Sequence, residues 1–358
     1  MSERWVSIIV CSCNRAAALK NTLEALGKIR LPSELSTELL VVDNGSTDDT
    51  AGIVKNSILR NMQVRYLFEA RKGQCYARNA GLASARGDII LFTDDDVTPR
   101  EDWAMEMIRP LLDGTCDAVT GQITLAPNLK RQWLTPAHRW WLASSHDAKP
   151  HNGIRELIGA NMGFRRSVLD RVPVFDTELG PGALGFGDDT LFGWQLSEAG
   201  VRIGDAPSAG VIHHLAPSRL RRTEWLSAAR SRGRSQAYMR YHWEHSDIQY
   251  PRLRQLYYFI KLKLRRLVQR PPPLENEGCP LWEMSYVLQI EKCRQFRLER
   301  RRPRNYGRHG LTKSTLAGHV ADGVGRIHRG GGNGETEQVQ VSRRMNAESD
   351  STAHMGPG

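Results

Sequence analysis

The first 120 residues alternate short apolar, β-branched runs with amphipathic stretches, and this alternation restricts the fold more than any other feature of the sequence. The apolar runs predict strands at 6–11, 39–42, 64–68 and 89–92. The amphipathic stretches predict helices at 16–26, 50–59 and 73–85. This order predicts an α/β fold in which a mostly parallel sheet is flanked by helices.

Polar residues follow three of these predicted strands, in the segments 12–15, 43–48 and 93–96. Because parallel sheets bind ligands beyond the carboxyl ends of their strands, these segments are the first candidates for a binding site. The sequence has no G-x-G-x-x-G after the first strand and no G-x-x-x-x-G-K-[ST] loop. It therefore disfavours a Rossmann-type nicotinamide or flavin enzyme and a P-loop nucleotidase.

Three adjacent carboxylates, Asp94, Asp95 and Asp96, follow the fourth predicted strand. Like charges at this spacing repel one another unless a cation neutralises them. Oxygen ligands suit Mg²⁺ or Mn²⁺, and such ions commonly also bind the phosphates of a substrate. The cluster therefore predicts a site for a metal ion and a diphosphate. The alternative is a solvated turn whose aspartates cap the next helix.

Two further acidic patterns each have a structural and a chemical interpretation. Asp43 begins a segment that suits a tight turn, because Asn44 and Gly45 tolerate positive φ; at a strand end, it could instead bind a nucleoside. Asp188 and Asp189 precede a predicted helix, where acidic residues favour the N-terminus. A carboxylate there could also act as a general base that deprotonates a hydroxyl group, which is otherwise a poor nucleophile.

In their order along the chain, these patterns resemble the family 2 glycosyltransferases with the GT-A fold. The similarity lies between residues 5 and 225, in the segments 43–48, 73–81, 94–96, 159–166, 175–180 and 187–189. It implies a metal-dependent, inverting glycosyltransferase of the hexosyltransferase type. The donor would be a nucleotide sugar, with UDP-sugars favoured. The acceptor would be a hydroxyl of a saccharide or of a lipid-linked molecule, as in polysaccharide or glycolipid biosynthesis.

The resemblance also implies roles for individual residues. The nucleotide sugar would be bound by Ser12, Asn14, Asp43, Arg78, Asp94 and Asp95. The metal ion, Mn²⁺ or Mg²⁺, would be held by Asp96, Asp94 and His213. Asp189 matches the catalytic base, and Asp188 stands where the family usually has a glutamate.

The acceptor side is less constrained by the sequence. Trp140 and Trp141 could form a stacking wall for a sugar, or they could fill space between the sheet and the C-terminal helices. Asn161, within one of the family-like segments, is a third acceptor candidate. Two other functions stay open: a sugar nucleotidyltransferase on the same fold, and a non-catalytic nucleotide-sugar-binding or membrane-adaptor module.

The positive charge of the chain, formally +11, is concentrated after residue 218. We therefore predict a GT-A domain over 1–218, a basic helical extension over 219–302 and a disordered tail over 303–358. In the extension, residues 252–270 combine apolar residues at helical spacing with lysines and arginines, a pattern typical of contact with an anionic membrane surface. The alternative is an ordinary packed helix with a solvated basic face.

Nucleic acid is disfavoured as a partner, because no nucleic-acid-binding motif accompanies the basic residues. No apolar run in the sequence approaches 18 residues, and no small-residue cleavage pattern follows the apolar start. We therefore expect a cytoplasmic protein, with a peripheral position on the inner face of the membrane if residues 252–270 bind lipid.

Overall fold

An eight-stranded sheet organises the part of the protein that the computed structural model describes, residues 4–145 and 156–314. The strands are β1 (Trp5–Ser12), β2 (Ser36–Asp43), β3 (Gln63–Phe68), β4 (Ile89–Asp94), β5 (Val97–Pro99), β6 (Ala118–Leu125), β7 (Asn161–Arg165) and β8 (Ile203–His213). Their order across the sheet is β3-β2-β1-β4-β7-β6-β8-β5. The first four strands pair in parallel, and β6 pairs in parallel with β8. β7 runs antiparallel between β4 and β6, and β5 antiparallel beside β8. The predicted mostly parallel sheet is confirmed.

Helices cover both faces of this sheet. They are α1 (Ala16–Leu26), α2 (Thr50–Lys55), α3 (Gln74–Ser84), α4 (Trp103–Leu112), α5 (Pro136–Trp141), α6 (Asp188–Glu198), α7 (Arg222–His242), α8 (Pro251–Gln269) and α9 (Leu281–Glu299). Because side chains alternate along a strand, Ile8 of β1 packs in the cluster that includes α1 and α4. Its neighbour Ile9 packs in the opposite cluster, which includes α3 and α6.

The C-terminal helices belong to the same compact unit as the sheet. A separate apolar cluster joins Leu129 and Leu142 to Trp225 of α7 and Met284 of α9. Among the described residues, none of the helices combines the length and the apolar character needed to cross a bilayer.

Residues 303–314 follow α9 and were predicted to belong to a disordered tail, but in the structure they pack against residues that precede α7. Tyr306 is buried, and its hydroxyl donates a hydrogen bond to Asp176 at 2.6 Å. The Lys313 ammonium lies 2.6 Å from the same carboxylate. A buried carboxylate is costly unless it is paired and hydrogen-bonded, so these bonds to Asp176 keep the segment packed in place. The rest of the predicted tail, 315–358, lies outside the described residues.

Candidate active site

The ends of β1, β2 and β4 meet at one edge of the sheet. The parallel register sets Ser12 beside Asp43 and Cys11 beside Asp94. The turn after β4 then carries Asp95 and Asp96 into the interior, where both are about 2% exposed. The polar segments that the sequence places after separate strands are therefore neighbours in space.

Arg15 joins two of the three adjacent aspartates. Its guanidinium donates to Asp95 Oδ1 at 2.8 Å and to Asp96 Oδ2 at 2.5 Å. Ser12 Oγ donates to the other oxygen of Asp95 at 2.7 Å. Burial raises the pKa of Asp95 to about 7, although Arg15 and Ser12 oppose this effect. Burial would also raise the pKa of Asp96, but His213 and Arg15 outweigh it and hold this pKa at about 2.

Asp94, Asp96 and His213 form a group that could hold a metal ion, with one ligand atom from each within 4.8 Å of the others. His213 reaches the aspartates because β5 pairs with β8, which sets it opposite Val97. Its Nε2 lies 3.1 Å from Asp96 Oδ1. Asp96 Oδ1 has no partner among the described residues besides this contact, and His213 Nδ1 is buried without one. Two carboxylates and an imidazole suit Mn²⁺, so the side chains present fit such an ion.

The residues expected to bind the nucleotide lie in the adjacent loops. Asp43 is buried and accepts hydrogen bonds from the Ser46 backbone N–H and the Tyr66 hydroxyl, both at 2.8 Å. Asn14, at φ 55°, accepts at its side-chain oxygen from the Thr47 backbone N–H at 2.7 Å. The bond between Thr47 and Asn14 ties the loop after β1 to the loop after β2, so the two loops form one surface.

Arg78 of α3 forms a buried ion pair with Asp188, the first residue of α6. Arg78 Nη1 lies 2.5 Å from Asp188 Oδ2, and both side chains are at most 7% exposed. The guanidinium also lies over the ring of Phe175, 5.3 Å from its centroid. Gly159 leaves room for it, since a Cβ at that position would overlap the guanidinium. Burial raises the pKa of Asp188 to about 6, with the Arg78 charge working against it.

Asp189 follows Asp188 in the first turn of α6. Its Oδ2 accepts from the Gly159 backbone N–H at 2.9 Å, and its Oδ1 from the Thr190 backbone N–H at 2.8 Å. A cavity of about 270 Å³, here called the Asp94 cavity, is lined by Asp94 at one side and by Asp189 at another. Arg78, Asp188 and Arg219 also line it. Asp94 of the aspartate cluster and the expected base therefore share one cavity.

A second cavity, of about 490 Å³, is also lined by Asp189. We call it the Arg232 cavity, after the arginine of α7 that lines it together with Trp140 and Trp141. The guanidinium lies 4.0 Å from the Trp140 ring centroid and 4.3 Å from that of Trp141. Each indole thus presents a face to Arg232, and that face is not open to a sugar.

Asn161, the third acceptor candidate, is fully buried in β7 and lines neither cavity. Its amide nitrogen donates to Gln122 O at 3.0 Å and to Ala209 O at 2.8 Å. Its oxygen accepts from Trp103 Nε1 at 2.8 Å. The amide is thus occupied in joining strands and a helix, and the interpretation of Asn161 as an acceptor contact is corrected.

Residues 7–172 match the family model described as Glycosyl transferase family 2. The segment 7–172, just under half of the chain, therefore belongs to this family. The pre-mycofactocin glycosyltransferase of Mycobacterium tuberculosis is 28% identical over 226 residues, which cover 59% of this chain and 43% of that protein. The probable glycosyltransferase YdaM of Bacillus subtilis is 24% identical over 282 residues, covering 74% and 60%. The chain spans about half the length of the curated relatives it matches.

Among solved structures, the chain is similar to the mannosyltransferase PcManGT of Pyrobaculum calidifontis. The TM-score is 0.51 at 21% identity, over 66% of this chain and 63% of that one. The likeness shows a shared fold, and the expected GT-A fold is confirmed.

The sequence assigned no role to three arginines of the chain. Arg15 binds two of the aspartates, Arg219 lines the Asp94 cavity, and Arg232 lines the second cavity. The position of Arg15 directly after Asn14, at a strand end, was an available signal. Arg232 lies among several arginines on one helix, and nothing in their spacing distinguishes it.

Proposed function

We propose that this chain is a metal-dependent, inverting glycosyltransferase that moves a sugar from a nucleotide-sugar donor, with UDP-sugars favoured, to a hydroxyl of a saccharide or lipid-linked acceptor. The observation that carries the proposal is the cavity lined by both Asp94 and Asp189, with Asp96 and His213 beside it. The curated relatives named as glycosyltransferases support it, as does PcManGT, whose structure was solved with GDP-mannose and Mn²⁺.

The proposed role of Asp189 is to accept the proton of the acceptor hydroxyl. Backbone N–H groups of Gly159 and Thr190 fix its two oxygens and leave each with further lone pairs for that proton. As the proton leaves, the acceptor oxygen forms a bond to the anomeric carbon of the donor. The bond from that carbon to the diphosphate oxygen breaks, and its electron pair goes to that oxygen. Because the acceptor oxygen enters from the face opposite the diphosphate, the configuration inverts.

The diphosphate would leave toward the opposite side of the cavity. Asp94, Asp96 and His213 would hold the Mn²⁺ or Mg²⁺ ion there, and this ion would supply positive charge to the leaving diphosphate. Arg219, which is exposed and lines the same cavity, supplies a second positive charge within the chain itself. The buried pair of Arg78 and Asp188 fixes the first turn of α6 and with it the position of Asp189.

Calorimetry with UDP, GDP and dTDP, each with and without Mn²⁺, tests the donor side. We expect Mn²⁺-dependent binding with UDP tightest, and a loss of about tenfold or more in Asp96→Asn, since a carboxylate ligand becomes a neutral amide. Asp113→Asn, at an exposed position after α4, is the matched control and should bind as the wild type does. Equal nucleotide affinity with and without Mn²⁺ would refute metal dependence.

We also propose that α8 contacts an anionic membrane surface. Leu262 is its only buried residue, whereas Leu253, Leu264 and Leu267 are 64%, 58% and 73% exposed. Exposed apolar residues follow one another at helical spacing and are flanked by lysines and arginines, as on helices that lie in the membrane interface. The charge surplus on this helix matches anionic lipid headgroups.

Vesicle flotation tests this contact. We expect the full chain to bind vesicles that contain phosphatidylglycerol and to bind pure phosphatidylcholine vesicles less. Leu264→Glu should weaken the binding, whereas Ile58→Glu, at an 89% exposed apolar position elsewhere, should not. If both variants floated as the wild type does, α8 would not be the contact.

A further inference from the structure

Asp189 lines both the Asp94 cavity and the Arg232 cavity. In the proposed reaction the donor occupies the Asp94 cavity, and so an acceptor hydroxyl can reach Asp189 from the Arg232 cavity. The volume of that cavity, about 490 Å³, is in the range of small-molecule sites. The charges that line it therefore bear on what kind of acceptor the chain takes.

Among the cations that line this cavity, Arg232 has the fewest hydrogen-bond partners in the described part of the chain. Rings of Trp140, Trp141 and Phe186 surround its guanidinium at 4.0, 4.3 and 5.1 Å. Its Nη1 is buried, and nothing in residues 4–145 or 156–314 accepts a hydrogen bond from it. A buried charged donor without an acceptor costs free energy, which a bound anion would recover.

Two more cations line the same cavity, and neither forms an ion pair with another residue of the described part of the chain. Lys292 Nζ donates to the Gln236 side-chain oxygen at 3.2 Å, and Arg240 Nη2 donates to the Asp247 backbone oxygen at 3.1 Å. Arg240 Nε is buried without a partner among the described residues. These acceptors are uncharged, so the positive charge stays available to a ligand.

Acidic groups also line the cavity and could offset its positive charge. Burial lowers the pKa of Arg232 to about 10, with Glu156 and Asp189 opposing that effect, so the guanidinium is charged at neutral pH. The two oxygens of Asp189 already accept backbone N–H groups. Glu244 accepts a hydrogen bond from Ser246 at 3.0 Å.

We propose that the acceptor is an anionic molecule whose phosphate or carboxylate group is bound by Arg232 while its hydroxyl lies at Asp189. The inference rests on the proposed transferase function and adds the acceptor class to it. In this proposal, Trp140 and Trp141 hold the guanidinium in place, since it lies over one face of each indole ring. The forked donor geometry of arginine suits both phosphate and carboxylate oxygens.

The test titrates inorganic phosphate, and in a separate arm acetate, into the full chain by calorimetry. Mn²⁺ and UDP are present at saturation, so that the donor side is filled. We expect Arg232→Met to weaken anion binding about tenfold or more, as loss of charge-assisted hydrogen bonds implies. Arg232→Lys keeps the positive charge but lacks the forked donor geometry, so its affinity for the anion should lie between those of Arg232→Met and the wild type. Arg230→Met removes an exposed charge from the same helix and should stay within about twofold of the wild type.

The two arms identify the anion, since tighter phosphate binding indicates a phosphorylated acceptor and tighter acetate binding a carboxylate. UDP affinity, measured in separate titrations of the same proteins without UDP present beforehand, reports on folding and on the donor side. If UDP failed to bind, the proposed function would be in error, and anion binding by the free chain would still decide the role of Arg232. The inference is overturned if the wild type binds neither anion, or if Arg232→Met binds both as the wild type does.

Discussion

The buried pair of Arg78 and Asp188 supports a quantitative prediction about stability. Both side chains are almost completely buried, and their closest atoms are 2.5 Å apart. Removing one partner leaves the other charge buried and unpaired, which costs about 3–5 kcal/mol. We therefore expect Arg78→Met and Asp188→Asn each to lower the free energy of unfolding by about this amount. The double variant should lose clearly less than the sum.

The assay is urea unfolding of the wild type, the two single variants and the double variant. The coupling free energy from this cycle should be about 2 kcal/mol or more. A matched cycle on the surface pair of Arg202 and Asp117, 3.1 Å apart but partly exposed, should give less than about 1 kcal/mol. Additivity within about 0.5 kcal/mol at Arg78 and Asp188 would refute the reasoning, because independent residues do not couple. Arg78 would then be free to act on the nucleotide alone.

Three further predictions concern other parts of the fold. Gly159→Ala should destabilise the protein and reduce sugar transfer, because its Cβ would overlap Arg78; an unchanged melting temperature would contradict this. Glu283→Gln should lower the urea midpoint, with a loss of about 3 kcal/mol, because Glu283 pairs with Arg222 and Arg266; an unmoved midpoint would show that the three do not couple. Burial would raise the pKa of Asp176, but the Lys313 ammonium and the hydroxyls of Tyr306 and Tyr238 lower this pKa below its value in the unfolded chain. Its contribution to stability should therefore be complete above about pH 4 and lost as the pH falls further, and Asp176→Asn should flatten that dependence in acid unfolding.

The strands and the aspartate cluster could be predicted because they depend on local sequence. A β-branched run that is buried on both faces, such as Trp5–Ser12, reveals itself by composition and length alone. The end of a short helix is harder to place: α2 was expected to reach residue 59, but it ends at Lys55. Adjacent carboxylates at a strand end also require no knowledge of distant contacts.

Contacts between distant segments could not be predicted in the same way. Arg15 and Asp96 are 81 residues apart, and Arg232 meets Trp140 across a similar separation, so only the folded chain shows either contact. Asn161 lies in a segment that resembles the family, but a sequence motif does not predict the direction in which a side chain points. That direction is set by Trp103 and by two backbone carbonyls.

The account depends most on Asp189 as the group that takes the acceptor's proton while the nucleotide is held elsewhere. The direct test compares sugar transfer and nucleotide affinity in Asp189→Asn, which keeps the shape of the side chain and removes the base. The account predicts that the rate of transfer falls by about 10²-fold or more, while the affinity for UDP with Mn²⁺ stays within about twofold of the wild type. Transfer at the wild-type rate by this variant would contradict it.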